Sequence, residues 1–142
     1  NKQSSTEQVT DLRDWGIPLG RRFRALKLWS VINYYGVKGI QDYIRNDMHI
    51  TKKLKEWISK DDRFEIIAPT PLTLICFRLK GSNDENEKLL HNINKSGSMY
   101  LSHTKLDNKY TLRFSIGTST SSLDHVKNSW KKIQEFAAKL KN

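Results

Sequence analysis

Apolar residues recur at helical spacing in the first part of the chain and alternate with polar residues in the second part. Residues 21–36 and 38–59 carry the helical pattern, and Gly36 is typical of a position that ends a helix. In the second part, short apolar segments are separated by turns, and the clearest alternation runs from Tyr110 to Ile116. The predicted strands are residues 64–67, 72–77, 99–105 and 110–116.

The second predicted helix carries an apolar stripe that should face the core, made of Ile40, Tyr43, Ile44, Met48, Thr51, Leu54 and Ile58. Two later helices are marked by their first residues. Ser82 with Glu85 forms a capping box, and Ser121 with Asp124 marks the start of the last helix. The order is helix, helix, strand, strand, helix, strand, strand, helix. Short connections between the strands favour antiparallel pairing, so the pattern predicts an α+β domain with helices on one face of the sheet.

Composition narrows the class of protein. The 142 residues suit one domain with its own core, and 25 Lys and Arg against 15 Asp and Glu give a net charge of +10. No apolar run approaches the roughly 20 residues of a membrane span. The lone Cys76 excludes an internal disulfide framework and a multi-cysteine zinc site, and its apolar neighbours predict a buried, reduced thiol in a cytoplasmic protein.

Little catalytic chemistry is visible in the residues themselves. There is no phosphate-binding loop, no glycine-rich dinucleotide fingerprint and no histidine pair at metal-binding spacing. The four histidines, at positions 49, 91, 103 and 125, are scattered, and a structural or surface role is expected for each. The sequence therefore predicts no catalytic, cofactor-binding or metal-binding residue in this chain.

A basic segment opens the first helix. Arg21, Arg22, Arg24 and Lys27 fall in its first two turns, where positive charge opposes the helix dipole by roughly 0.3–1 kcal/mol per site. Nucleic-acid phosphates, a small anion, carboxylates elsewhere in a larger protein, and plain solvation are four open explanations. With the charge of +10, this segment supports one hypothesis, a free-standing basic module that binds nucleic acid.

Six stretches of the chain, in order, carry a family resemblance: residues 14–29, 35–41, 43–45, 62–66, 76–80 and 112–117. The first contains Trp15-Gly16-Ile17-Pro18-Leu19-Gly20-Arg21-Arg22-Phe23-Arg24. Together they resemble the aromatic-L-amino-acid decarboxylases, which are group II enzymes that use pyridoxal phosphate. Leu101-Ser102-His103-Thr104 and Ile116-Gly117 are more similar to plant or microbial members than to animal ones. The resemblance covers nearly the whole chain.

The resemblance implies a division of the chain between two domains of a fold-type I pyridoxal-phosphate enzyme. Residues 1–26 would end the mobile catalytic loop and the large cofactor domain, and residues 27–142 would form the C-terminal small domain with a four-stranded antiparallel sheet. The lysine, histidine and aspartate that hold the cofactor would lie upstream. By the same resemblance Asn1 would follow a basic residue of the catalytic loop, and we expect a proteolytic cut there.

The resemblance also implies a function and a site. The expected enzyme is a cytoplasmic homodimeric lyase, active only with its upstream part, that decarboxylates aromatic amino acids and binds neither nucleic acid nor membrane. Leu19 and Gly20 would border the substrate ring, and Gly20 would leave room for an indole because glycine has no side chain. An aromatic acetaldehyde synthase of the same family is the alternative, because the loop tyrosine that separates the two activities precedes Asn1.

Overall fold

The computed structural model describes residues 22–118 and 120–140, and the chain divides into two compact units, residues 1–36 and 37–142. The elements in chain order are helix α1 (Arg24–Ser59), strands β1 (Phe64–Ile66) and β2 (Leu74–Leu79), helix α2 (Asn83–Lys95), strands β3 (Ser102–Leu106) and β4 (Lys109–Ser115), and helix α3 (Leu123–Lys139). The predicted order of helices and strands is confirmed.

Helix α1 is interrupted at Gly36. This residue has φ 63° and ψ 175°, a conformation outside the helical region that glycine adopts readily because it has no Cβ. Any other residue would be strained there. The predicted helix end at Gly36 is confirmed, and α1 consists of two helical segments, residues 24–35 and 37–59.

The second unit is built on one antiparallel sheet with strand order β1-β2-β4-β3. The register pairs Phe64 with Leu79 and Ile75 with Phe114, so β2 and β4 are the central strands. Because side chains alternate between the two faces of a strand, this register gathers the apolar positions of all the central strands on one face. The predicted four-stranded antiparallel sheet and the α+β class are confirmed.

The core lies between that face and the helices. Phe64, Phe77 and Trp130 form its aromatic centre, with ring centroids 4.9 Å apart for Phe64 and Trp130 and 6.0 Å apart for Phe77 and Trp130. Each helix adds fully buried residues around it, namely Leu54 and Ile58 of α1, Leu89 and Ile93 of α2, and Ile133 of α3. Burial of one such side chain is worth about 1.5–3 kcal/mol. The helical layer of residues 37–59, α2 and α3 therefore holds one face of the sheet.

The buried stripe of α1 differs from the predicted one. It comprises Asp47, Ile50, Thr51, Leu54 and Ile58, whereas Ile44 and Met48 are 44% and 39% exposed. Thr51, Leu54 and Ile58 are buried as predicted, whereas the buried Asp47 and Ile50 were not part of the predicted stripe. Thr51 is accommodated because its Oγ1 donates to the carbonyl of Asp47 at 2.7 Å.

Two smaller expectations also need correction. The N-cap of α3 is Ser122 rather than Ser121, because the Ser122 hydroxyl accepts the amide N–H of His125 at 3.2 Å. Cys76 is half-buried rather than buried. Its neighbours Ile75 and Phe77 take the core face of β2, so the alternation of the strand turns Cys76 to the other face.

The connection from β2 to α2 is fixed by polar side chains. Asn86 is fully buried, and its amide accepts the N–H of Leu79 at 2.8 Å and donates to the carbonyls of Leu79 and Ser82. The predicted capping box of α2 is confirmed, since Ser82 Oγ accepts the Glu85 N–H at 3.1 Å and the Glu85 carboxylate accepts the Ser82 N–H at 2.6 Å. These bonds set where the helix begins relative to the sheet.

Asp61 ties the end of α1 to α3. Its carboxylate accepts hydrogen bonds from Arg63 Nη2 at 2.7 Å, Arg63 Nε at 2.9 Å and Gln134 Nε2 at 2.8 Å. The Arg63 guanidinium, more than any other group, holds the pKa of Asp61 at about 2, below the ordinary 3.8. Because the folded state favours the charged carboxylate, the interaction stabilises the folded state fully above about pH 4. This stabilisation is lost as the pH falls from about 4 to about 2.

Replacing Asp61 by asparagine is therefore expected to lower the free energy of unfolding by about 2 kcal/mol at pH 7. The difference between the two proteins should shrink as the pH falls below about 4, because the wild-type carboxylate then becomes protonated. Urea unfolding at several pH values measures this. Asp62→Asn is the matched control, since Asp62 is exposed. An Asp61→Asn effect that did not change with pH would contradict the assigned charge interaction.

Candidate functional site

The predicted substrate-pocket residues, Leu19 and Gly20, lie outside the described residues, as do Trp15 and Arg21. The part of the basic segment that is described, from Arg22 to Lys27, is exposed. The described residues therefore do not include the predicted pocket residues, but three of their surfaces carry chemistry.

The first surface is the apolar helix, residues 24–35. Its exposed large side chains, together with the preceding Phe23, are Phe23 (73%), Leu26 (49%), Leu28 (64%), Trp29 (62%), Val31 (47%), Ile32 (46%), Tyr34 (83%) and Tyr35 (42%). At 100° per residue these positions point to all sides of the helix rather than to one stripe. A helix that is hydrophobic all round is typically buried in a larger protein.

The polar residues of the apolar helix are satisfied within it. Ser30 Oγ donates to the carbonyl of Leu26 at 2.8 Å, and Asn33 Nδ2 donates to the carbonyl of Trp29 at 2.8 Å. These side chains therefore need no partner from solvent. Lys27 is the one charged residue between Ala25 and Tyr35. The surface of the helix is suited to contact with other protein on every side.

The second surface is the polar face of the sheet, opposite the face that packs on the apolar core. Strand alternation places Glu65, Cys76, Arg78, Thr111 and Arg113 on it. Arg78 is held in place, because its Nε donates to the carbonyl of Leu79 at 3.1 Å and its side chain also bonds Gly81 and Asn83. Glu65 Oε1 lies 3.6 Å from Arg78 Nε. Arg78 is thus a structural cation.

Among the described residues, Arg113 differs from Arg78 in having no hydrogen-bond or ion-pair partner. Arg113 is half-buried in β4, whereas Arg78 and Thr111 on the same face are buried. A half-buried cation without such a partner is suited to bind an anionic group of another protein segment. The sequence pattern identified Arg113 only as a polar position in an alternating strand, and the strand register was needed to place it on this face.

The third surface lies between α2 and β3, around a cleft of about 490 Å³ lined by Glu87, His91, Tyr100, His103 and Tyr110 among others. The His103 ring stacks on Tyr110 with centroids 4.6 Å apart and planes 8° apart. Burial, with a smaller effect of the Glu87 carboxylate, raises the pKa of Tyr110. Across the described part of the chain, no group of three or more His, Cys, Asp or Glu side chains is arranged to hold a metal ion.

A pyridoxal cofactor does not fit the described residues. A lysine that bonds such a cofactor is activated by desolvation. The cleft of about 440 Å³ between α1 and α3 has aromatic walls in Trp57 and Trp130, but its lysines, Lys60, Lys127 and Lys131, are exposed. Asp61 in the same cleft already binds Arg63. The described residues of this cleft therefore do not suit a pyridoxal cofactor.

The helices were also compared with the requirements of a membrane span. Among residues 22–118 and 120–140, no helix combines the length and the apolar character that crossing a bilayer requires.

Comparison with known proteins places the chain in a family. The profile of the "Pyridoxal-dependent decarboxylase conserved domain" matches residues 2–80. Phenylacetaldehyde synthase of Arabidopsis thaliana is 44% identical over 99% of this chain and 30% of its own length, and aromatic-L-amino-acid decarboxylase of Bos taurus is 48% identical over 92% of this chain and 27% of its own length.

Solved structures agree with the sequence comparisons. The Oryza sativa TDC structure with PLP and tryptamine superposes with a TM-score of 0.82 at 35% identity, covering 95% of this chain and 30% of that protein. The chain therefore spans about 30% of the length of the relatives it matches. The resemblance stated from the sequence is confirmed, and the chain belongs to the pyridoxal-dependent decarboxylase family.

Proposed function

We propose that this chain is the C-terminal part of a pyridoxal-phosphate-dependent aromatic-L-amino-acid decarboxylase, a lyase. Its substrates would be tryptophan or 5-hydroxytryptophan, or tyrosine or dihydroxyphenylalanine, and its products the arylethylamine and carbon dioxide. The observation that carries the proposal is 48% identity to an aromatic-L-amino-acid decarboxylase over 92% of the chain. The enzyme would be active only with the upstream part of the polypeptide, which holds the cofactor.

We assign residues 1–26 to the end of the catalytic loop and of the large domain, and residues 27–142 to the small domain. The complete core within residues 37–142 supports the second assignment, because such a unit can pack as a domain. Leu19 and Gly20 would then border the substrate ring, close to the domain boundary.

The upstream part of the enzyme is the partner that we propose for the apolar helix. Trp29 and Tyr34 are 62% and 83% exposed, and a soluble protein rarely leaves so many neighbouring aromatic and aliphatic side chains in water. Arg113 on the polar face of the sheet would bind an anionic group of this upstream part. By resemblance to the family, the assembled enzyme would be a plant-like cytoplasmic homodimer.

A second candidate is an aromatic acetaldehyde synthase. It is favoured by 44% identity to the phenylacetaldehyde synthase of Arabidopsis thaliana over 99% of the chain. This reaction consumes oxygen and water with the amino acid and releases carbon dioxide, ammonia, hydrogen peroxide and an aldehyde, whereas simple decarboxylation consumes no oxygen.

Product analysis of the whole enzyme separates the two activities. Loaded with pyridoxal phosphate and given each of the four aromatic amino acids in turn, it is expected to form amine and carbon dioxide in equal amounts. Enzyme stripped of the cofactor should be inactive and should recover when pyridoxal phosphate is restored. Hydrogen peroxide formed in proportion to carbon dioxide would support the synthase instead. Failure to act on any aromatic amino acid would refute both proposals.

A further inference from the structure

A cleft separate from the surfaces described above lies between α1 and the connection from β1 to β2. It has a volume of about 450 Å³, within the range of small-molecule sites. Arg45, Lys52 and Lys55 of α1 line one side, and Thr70 and Leu72 of the connection line the other. Among the described residues, no aspartate or glutamate lines it.

The positive charge of the cleft is only weakly compensated. Arg45 Nη1 is 3.4 Å from Asp42 Oδ1, but Asp42 is bound more closely by Lys38 at 2.5 Å. Lys52 and Lys55 form no ion pair with any described residue. Cations grouped on one wall of a cleft raise the local concentration of anions.

Glu56 does not neutralise the group. Its Oε2 accepts a hydrogen bond from Lys53 at 3.1 Å, and this bond is the main cause of its lowered pKa, while Lys52 acts on it only through space. Glu56 lies one helical turn from Lys52, so its carboxylate, already bonded to Lys53, compensates the charge of Lys52 only in part.

Thr70 supplies an unsatisfied hydroxyl. Its Oγ1 is buried and has no hydrogen-bond partner among the described residues. A buried hydroxyl left in this state costs roughly 1–3 kcal/mol. Because Oγ1 has almost no accessible surface, the Thr70 side chain would have to rotate to turn it into the cleft, where an oxygen atom of a bound anion would accept its proton.

The cleft also has an apolar part. Met48, which lines it beside the cations, is 39% exposed, and Leu72 is 61% exposed. A bare inorganic anion would leave these side chains in water. A ligand with an apolar group next to its charge would cover them.

We propose that this cleft binds a small phosphomonoester that carries an apolar group. Phosphate suits it better than a carboxylate, because a phosphomonoester holds a charge of about −1.5 to −2 at pH 7 and three acceptor oxygens. Arg45, Lys52, Lys55 and Thr70 would bind the phosphate, and Met48 and Leu72 the apolar group. The proposal depends on the geometry of the cleft and not on the reaction of the enzyme.

Calorimetric titration of the whole enzyme with phenyl phosphate tests the proposal. The enzyme is first loaded with pyridoxal phosphate and then freed of excess cofactor by desalting, so that the cofactor site is filled while no free phosphomonoester competes for the cleft. Saturable binding is expected, and Lys52→Gln with Lys55→Gln should raise the Kd by about 10-fold or more. Thr70→Val should raise it about 3- to 10-fold. Lys88→Gln with Lys132→Gln, which removes two exposed lysines of α2 and α3, is the matched control and should leave the Kd unchanged.

Three results would overturn the proposal. One is the absence of saturable binding up to about 10 mM phenyl phosphate, which is weaker than a built site would give. Another is binding that the Lys52 and Lys55 substitutions leave unchanged, because the ligand then sits elsewhere. The third is equal affinity for phenyl phosphate and inorganic phosphate, because the apolar wall would then play no part. Thermal unfolding of each variant checks that it is folded. The lysine variants are expected to fold, because Lys52 and Lys55 are exposed.

Discussion

Replacing both Trp29 and Tyr34 by aspartate is expected to abolish the activity of the whole enzyme while the small-domain core stays folded. Both side chains are exposed on the apolar helix, where the described part of the chain gives them no cover. If the upstream part of the enzyme packs on this helix, each new carboxylate is buried without a partner. Such a charge costs about 3–5 kcal/mol. Two of them approach the 5–15 kcal/mol that stabilises a typical protein.

Two measurements separate this effect from general misfolding. Hydrogen exchange should show that the amides of β2 and β4 keep their protection, because the core residues Phe77 and Leu112 are fully buried in a unit that excludes Trp29. The loss of activity should be accompanied by a change in the elution volume of the whole enzyme in size-exclusion chromatography, because the packing on the apolar helix is lost. Tyr100→Asp is the matched control, since Tyr100 is 82% exposed and lies in the second unit. If the double variant kept full activity, the apolar helix would have no protein partner.

The sheet and its helices could be predicted from local patterns. Strand β4 alternates strictly, and the capping box at Ser82 and the glycine at position 36 mark boundaries that depend only on neighbouring residues. Local patterns of this kind predict the folded structure well, because the groups that interact lie within a few residues of one another. The predicted boundaries of α1 and α2 hold for this reason.

The buried face of α1 could not be predicted in the same way. Asp47 enters the core stripe although it is polar and was not predicted there, and Met48 leaves it although it is apolar. Which face meets the sheet is decided by how the whole helix packs, and the choice is not visible in the apolar residues alone. The partner of Asp61 is likewise non-local, since Gln134 is distant in sequence.

Candidate surfaces were harder still to predict. The cationic cleft is lined by Thr70 and Lys52, which are distant in sequence, and the polar face depends on the strand register that pairs Cys76 with Arg113. Both surfaces therefore depend on tertiary structure. Leu19 and Gly20 came from the family resemblance rather than from any pattern, because no local rule marks a substrate pocket. Net charge alone allowed a nucleic-acid-binding module, and the ordered motifs pointed to an enzyme family instead.

Substrate choice should change when Gly20 is replaced by serine. A glycine leaves space next to the backbone for a bicyclic indole, and a serine would fill that space and offer its hydroxyl to a phenol. One small group in a pocket shifts discrimination by about 1–3 kcal/mol, or roughly 10- to 200-fold in the ratio of kcat/KM values. We therefore expect the ratio for tryptophan over tyrosine to fall by a factor in this range.

Competition between tryptophan and tyrosine, measured on the whole enzyme, gives this ratio directly. Gly117→Ser is the control, because a Cβ added at Gly117 meets no atom within 4 Å and should leave the ratio unchanged. The effect should lie in the ratio rather than in stability, so the thermal midpoints of wild type and Gly20→Ser should agree. A wild-type enzyme that already prefers tyrosine, or a ratio that Gly20→Ser leaves unchanged, would show that residues upstream of this chain choose the ring.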